Sequence, residues 1–301
     1  MTKSKNKRAL PIRASILVAL ILSIIKIFVG IYINSLAILS SAVDNILDVL
    51  SSTINYLALN KADMPPDLNH KYGHYKFEPL ASFIQALILI VTAIYIFYKA
   101  IKKIYSKDEI SDVEGGLYIM LFSLVATAAL IYYLRKSAKK YKSSVYVAES
   151  LHYETDILTN IAVIITLIVI EFTDLHILDP VLSIAISIYI FYEALKLSVD
   201  TSKELLDTEI SDDVKDNITS IIKSYGKHSI DYHKLRTRKA GNKIFVDVHI
   251  TLCNNPTLEE AHNVITEIEH KIKEKLSNID IMIHAEPSED KNNRRGRYEI
   301  N

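Results

Sequence analysis

The chain has 301 residues, half of them apolar, with 35 basic and 35 acidic side chains and a formal net charge of zero. That apolar share excludes an ordinary soluble globular protein of this size, and the charge balance removes any bulk case for nucleic-acid binding. A single cysteine, Cys253, excludes an intramolecular disulfide framework and a cysteine-based zinc finger.

The basic start, with Lys3, Lys5, Lys7 and Arg8, precedes an apolar run too long for a signal peptide and without a small-residue cleavage pattern. It reads as a retained first span. Six apolar segments follow in order, at about residues 12–33, 36–59, 78–101, 116–134, 145–170 and 177–199. Each is close to the roughly 20 residues that cross a bilayer. Only Asn34 and Ser35 join the first two, which makes an antiparallel pair. Lys26 interrupts the first segment and either snorkels or meets an acid of the bundle. Gln85 in the third reads as an interhelical hydrogen bond. Lys and Arg number 13 on the side that holds the N-terminus and the loops after segments two and four, against four on the other. By the positive-inside rule both termini are cytoplasmic.

Beyond residue 199 the composition turns charged. Residues 210–225 repeat apolar side chains at helical spacing, with Gly226 able to cap them. Residues 230–239 and 243–252 flank a hairpin signal at Ala240, Gly241 and Asn242. In the second strand Ile244, Val246, Val248, Ile250 and Leu252 share one face, and Asp247 and His249 the other. Thr257 and Glu260 form a capping box before a helix expected to bury Leu258, Ala261, Ile265, Ile268, Ile272 and Leu276. Residues 279–284 alternate again. The order αββαβ is a small α+β domain. The expected division is a membrane domain at 1–207, a cytoplasmic domain at 208–289 and a disordered tail at 290–301.

Two apolar segments carry chemistry. In the second, Asp44 and Asp48 stand four apart and so share one helix face. A carboxylate in the bilayer core costs at least ~2.5 kcal/mol, so it is rare there without a partner. In the fifth, His152 and Asp156 repeat the spacing. Three carboxylates and one imidazole suit a divalent ion such as Zn2+, and the absence of cysteine there argues against copper(I). Ser41 and Ser52 read as helix packing rather than ligands. The loop DLNHKYGH adds Asp67, His70 and His74, three donors in eight residues.

These motifs together resemble the cation diffusion facilitator family, especially its bacterial zinc and iron effluxers. The resemblance covers nearly the whole chain. It rests on Asp44 and Asp48, on His152 and Asp156, on the GHYKFE stretch at 73–78 and on LRTR at 235–238. It implies a polytopic α-helical membrane protein with six transmembrane helices and a metallochaperone-like αββαβ cytoplasmic domain. It also implies a homodimer working by alternating access in the cell's inner membrane. By motif, Asp44, Asp48, His152 and Asp156 resemble the family's transport site, and Asp67, His70 and His74 its loop site. His233, His249, His262, His284 and Glu286 match its cytoplasmic metal sites, and Lys76 with Asp207 a charge interlock at its dimer interface. Glu286 stands where relatives often have aspartate, and Ala285 removes a polar neighbour.

The chain has no Gly-x-x-x-x-Gly-Lys motif to couple ATP, so export draws on an ion gradient. Metal binding needs deprotonated carboxylates and neutral imidazole, and release lets them take protons back. The expectation is a divalent cation/proton antiporter that exports Zn2+, with Fe2+, Cd2+ and Mn2+ as further candidates. The rivals are a membrane-anchored metal sensor and an intramembrane metalloenzyme. A sensor has no need of acids inside its anchor, and the enzyme lacks a His-Glu-x-x-His signature.

Overall fold

The computed structural model describes residues 2–32, 36–105, 117–173, 177–226, 229–254, 256–276 and 278–288. The expected Asn34–Ser35 turn and the tail at 290–301 lie outside them. The chain divides into two compact units, Met1–Leu205 and Leu206–Asn301.

The first unit holds six long helices, α1 (Thr2–Tyr32), α2 (Leu36–Ala62), α3 (Phe77–Tyr105), α4 (Leu117–Tyr141), α5 (Ser144–Thr173) and α6 (Leu178–Leu205). Most run past their apolar segments into charged turns. α1 begins ten residues ahead of its segment and continues through Pro11. Among the described residues, three helical stretches are long and apolar enough to cross a membrane: Arg8–Tyr32, Phe77–Tyr105 and Pro180–Leu205. α2 and α5 carry polar side chains within their apolar runs, Asp44, Asn45, Asp48 and Asn55 on one and Glu149, His152, Glu154 and Asp156 on the other.

Small residues set the packing. α3 buries Ala81, Ser82, Ala86, Ala93 and Ala100, which lets α6 come close. α1 packs along α2, and α4 along α5. One core joins Ile12, Leu59, Leu130, Leu134, Tyr146 and Tyr153, and another joins Leu89, Ala148, Leu151, Ala194 and Leu197. Large apolar side chains such as Phe28, Val91, Val125 and Ile188 point outward instead. In water such a surface is a liability, whereas in lipid it is matched by its solvent.

At one end of the bundle Arg8 is buried and pairs with both Asp63 and Glu78, and the Tyr146 hydroxyl donates to the Arg8 carbonyl. The two carboxylates compensate a charge that burial alone makes expensive, and the Tyr146 bond to the carbonyl ties α5 to the same turn of α1.

The second unit has the expected order: α7 (Asp212–Ser224), β1 (Ser229–Ala240), β2 (Lys243–Leu252), α8 (Leu258–Lys275) and β3 (Ile279–Pro287). β2 is central, antiparallel to β1 and parallel to β3. Ala240 pairs with Lys243, so Gly241 and Asn242 make the hairpin, with Gly241 at φ 57°. The core joins Val246, Val248, Ile250 and Leu252 of β2 to Ile218 and Ile222 of α7, Ile268 and Ile272 of α8, and Ile279 and Ile281 of β3. The Thr257–Glu260 capping box is present. Leu258 departs from its expected burial: it is the first residue of α8, one step after the cap, and is 88% exposed. α7 is capped by Tyr225 rather than by Gly226, which follows it.

Candidate functional site

Asp48 on α2 and His152 and Asp156 on α5 bring three donor atoms within 4.8 Å of one another. His152 Nε2 and Asp48 Oδ1 are 2.9 Å apart. Two metal bonds of about 2.1 Å span at most about 4.2 Å, so small side-chain adjustments close the group on one ion. Asp48 is buried at the helix seam. Asp44, the other expected donor on this face, is exposed one turn away and stands outside the group.

Two polar arrangements hold these donors. Lys26 is buried and donates to Ser41 Oγ at 2.9 Å and to Asn45 Oδ1 at 2.6 Å. Asn45 Nδ2 in turn donates to Asp48 Oδ2 at 3.0 Å. Lys26 therefore reaches the acid of the bundle through an amide rather than directly. On the opposite side of the donors, Glu149 is fully buried one turn before His152. Ser52 Oγ donates to Glu149 Oε1, and Asn55 Nδ2 donates to Glu149 Oε2 and to Gln85 Oε1. The Ser52 and Tyr153 hydroxyls lie 3.2 Å apart. Ser52 is thus a tie between α2 and α5 as well as a packing residue. Gln85 makes its interhelical bond here.

The second group lies between α2 and α3. Asp67 Oδ1 accepts from the backbone N–H groups of Asn69 at 2.9 Å and His70 at 2.7 Å, an Asx-type turn. Those amides, His70 first, hold the Asp67 carboxyl below the ordinary aspartate range. Gly73 sits at φ 82°, and a Cβ there would meet the Tyr75 ring at 2.9 Å, so glycine is what turns the chain towards His74. The rings of His70 and His74 stand 4.4 Å apart, and with Asp67 they form a second donor group. His74 Nε2 is 3.2 Å from Asp67 Oδ2, but without hydrogen-bond alignment, so both ring nitrogens of this buried side chain lack a hydrogen-bond partner. An unsatisfied buried imidazole is expensive unless something ligates it.

The third group lies on the sheet. His233, His249 and His284 occupy one row across the three strands, since His249 pairs in register with both of the others. The register is irregular on both sides of His233, and Lys234 takes φ 50° at the second irregularity. A bulge re-aims its neighbour's side chain. His249 Nδ1 is 2.7 Å from Glu286 Oε1, and His233 Nε2 is 3.1 Å from Glu286 Oε2. The hydrogen bond from His249, then the charges of His233 and His249, hold the Glu286 carboxyl below the ordinary glutamate range. His233, His249 and Glu286 form the donor group. His284 is exposed with its ring 4.7 Å from that of His249, outside the group. His262 is exposed on α8 and also outside it.

Lys76 donates to the Leu205 carbonyl at 3.1 Å within the first unit. Asp207, at φ 57°, lies 3.4 Å from Arg238 Nη1 within the second.

Glu149 escaped the sequence reading although the signal was present. It is a carboxylate inside the same apolar run that drew attention to His152 and Asp156. Arg8, Asp63 and Glu78 gave no such signal, because each lies at the charged end of a segment.

The family model for the cation efflux transmembrane domain matches residues 12–206, and that for the cation efflux protein cytoplasmic domain matches residues 210–288. Protein p34 of Rickettsia prowazekii (strain Madrid E) is 33% identical over 273 residues, covering 91% of this chain and 90% of that one. The cation-efflux pump FieF of Escherichia fergusonii is 31% identical over 274 residues, covering 91% of each. Among solved structures, the metal-bound C-terminal domain of the CzcD transporter from Thermotoga maritima is 25% identical with a TM-score of 0.24, covering 25% of this chain and 87% of that one. The chain is a membrane protein of the cation diffusion facilitator family, whose members are cation efflux transporters rather than enzymes.

Proposed function

We propose that this chain is a divalent cation/proton antiporter that exports Zn2+ from the cytoplasm, with Fe2+, Cd2+ and Mn2+ as alternative cargo. The observation that carries the reading is the meeting of Asp48, His152 and Asp156 between two helices of the membrane domain. One imidazole and two carboxylates suit borderline and hard divalent ions, and Asp44 one turn away supplies a fourth donor by a side-chain or helix shift. Protons and cargo compete for the same nitrogen and oxygen atoms. A site that loads on one side and empties on the other therefore exchanges them in opposite directions.

The wider reading is a six-span inner-membrane homodimer with both termini in the cytoplasm, working by alternating access. Asp67, His70 and His74 would hold an ion at the loop, where the unsatisfied His74 nitrogens fit a ligand role. His233, His249 and Glu286 would hold regulatory Zn2+, with His284 and His262 completing further coordination in the dimer. The Glu286 carboxyl, kept ionised by its histidines, fits that role. Lys76 and Asp207 would form the charge interlock between subunits.

The test is uptake by purified protein in liposomes, with a panel of divalent metals and an imposed pH gradient. Zn2+ flux with opposite proton movement is expected. Equal metal counterflow from about pH 5.5 to 8 with no proton movement would replace antiport by facilitated diffusion.

A further inference from the structure

At the end of the bundle where α4 finishes, α5 begins and α6 finishes, the three helices line two adjoining open cavities. The outer one, of about 410 Å3, is lined by Arg135, Lys139, Glu154, Glu193, Lys196 and Asp200 among others. The inner one, of about 450 Å3, is lined by Ile157, Leu158, Ala185 and Ile186. Arg135, Glu154 and Tyr189 border both. Both volumes fall in the range of ligand sites, roughly 300–1,000 Å3. From Val147 to Leu158 the groove follows α5 for about 16 Å at 1.5 Å per residue. That is close to half the ~30 Å thickness of the hydrocarbon core. Polar at the helix ends and apolar further in, the groove has the polarity profile of one lipid leaflet.

The charges select the occupant. Three cations and three acids line the outer cavity, so its formal charge balances. Arg135 and Glu154 already pair at 2.6 Å. Lys139 and Lys196 make no hydrogen bond or ion pair among the described residues, and Glu193 has no hydrogen bond there and only the more distant charge of Arg135, although charged groups at a cavity gain from being paired. A divalent cation passing here would meet two free ammonium groups. An anionic lipid would satisfy the lysines but face Glu193 and Asp200, whereas pockets for anionic headgroups are basic. A phosphodiester carrying a primary amine answers both signs at once: its phosphate accepts from the lysines, and its ammonium donates to Glu193.

We propose that this groove binds a zwitterionic, amine-bearing phospholipid of the ethanolamine type, with the headgroup in the outer cavity and the start of an acyl chain in the inner one. Ethanolamine is favoured over choline, because a quaternary ammonium has no N–H to donate to a carboxylate.

The test uses the full chain purified from vesicles of equal parts ethanolamine, choline and glycerol phospholipid, with retained lipid read by native mass spectrometry. Wild type should enrich the ethanolamine lipid roughly tenfold over choline, the scale of one charge-assisted hydrogen bond. Glu193→Gln should bring that ratio towards one, and Lys139→Gln with Lys196→Gln should lower retention of both lipids. A second reading comes from nanodiscs. There Tm should rise as ethanolamine lipid replaces choline lipid for wild type but not for Glu193→Gln. Retention of the three lipids in the supplied ratio, preferential retention of the glycerol lipid, or a Glu193→Gln variant that keeps the wild-type preference would overturn the proposal.

Discussion

Between α2 and α5, one imidazole and two carboxylates meet at the seam of two helices. On the sheet, two imidazoles and one carboxylate meet across strands. The two groups differ in donor softness and in what holds them. The helix pair is flanked by Lys26 and Asn45 on one side and by the buried Glu149, Ser52 and Asn55 on the other. The sheet group rests on strand register, with Glu286 bridging two histidines and remaining about one-third exposed. A nitrogen-rich group on a fixed, half-open sheet suits an ion that stays. An oxygen-rich group at a seam between helices can change its spacing when the helices move, which suits an ion that leaves.

That contrast can be broken in four places. The largest effect is expected at the seam. Asp48→Ala or Asp156→Ala should lower metal uptake in liposomes by more than about 100-fold, beyond the 10- to 100-fold that supporting residues cost. Unchanged flux in either variant removes the transport assignment.

Next is Glu149→Ala, which takes one buried partner each from Ser52 and Asn55 and leaves them Tyr153 and Gln85. It should reduce uptake by about 10- to 100-fold, while Glu149→Gln, whose amide oxygen still accepts from Asn55 and whose NH2 can donate to the Ser52 hydroxyl, should recover most of it. Equal losses in both variants would mean that the charge, not the hydrogen bonding, matters.

On the sheet, His249→Ala with His284→Ala should weaken zinc binding by residues 208–289, measured by calorimetry, and leave membrane transport measurable. Equal zinc binding by wild type and variant places the ion elsewhere.

The smallest effect concerns pH. Because the hydrogen bond from His249, ahead of the nearby charges, holds the Glu286 carboxyl below the ordinary glutamate range, the contacts of the ionised carboxylate stabilise the domain above that range. The stabilisation is lost as pH falls through the lowered value. The Tm advantage of wild type over Glu286→Gln should therefore be present at neutral pH and shrink in acid. A constant difference across that window would remove this account of the carboxylate. Solvent exposure keeps the effect small.

How legible each group was in the sequence follows from its backbone. Pairs spaced i, i+4 on a helix are neighbours whatever else the chain does, so Asp44, Asp48, His152 and Asp156 could be read directly. The period-two pattern of β2 and the Thr257–Glu260 box were equally local. What brings His233 against His249 is a pairing set by a two-residue hairpin and a bulge at Lys234, and no local pattern marks the bulge. Asp44 carried the right spacing but stands on the exposed side of the seam, a matter of how far α2 is rotated. Leu258 fitted the helical period but is the first residue of α8, directly after its cap, and is exposed.

The Arg8 junction has a consequence for how the protein is made. Arg8 leaves the ribosome before both partners of its guanidinium, Asp63 by 55 residues and Glu78 by 70. At about 5–20 residues per second the second of these appears roughly 4–14 s after Arg8. Until then the guanidinium has only water and headgroups for company, which its long stem allows if α1 stays shallow. The first helix is thus inserted provisionally and drawn to its final depth when α3 arrives. Nascent chains arrested before Asp63 should leave Arg8 open to protease, and chains arrested well beyond Glu78 should protect it.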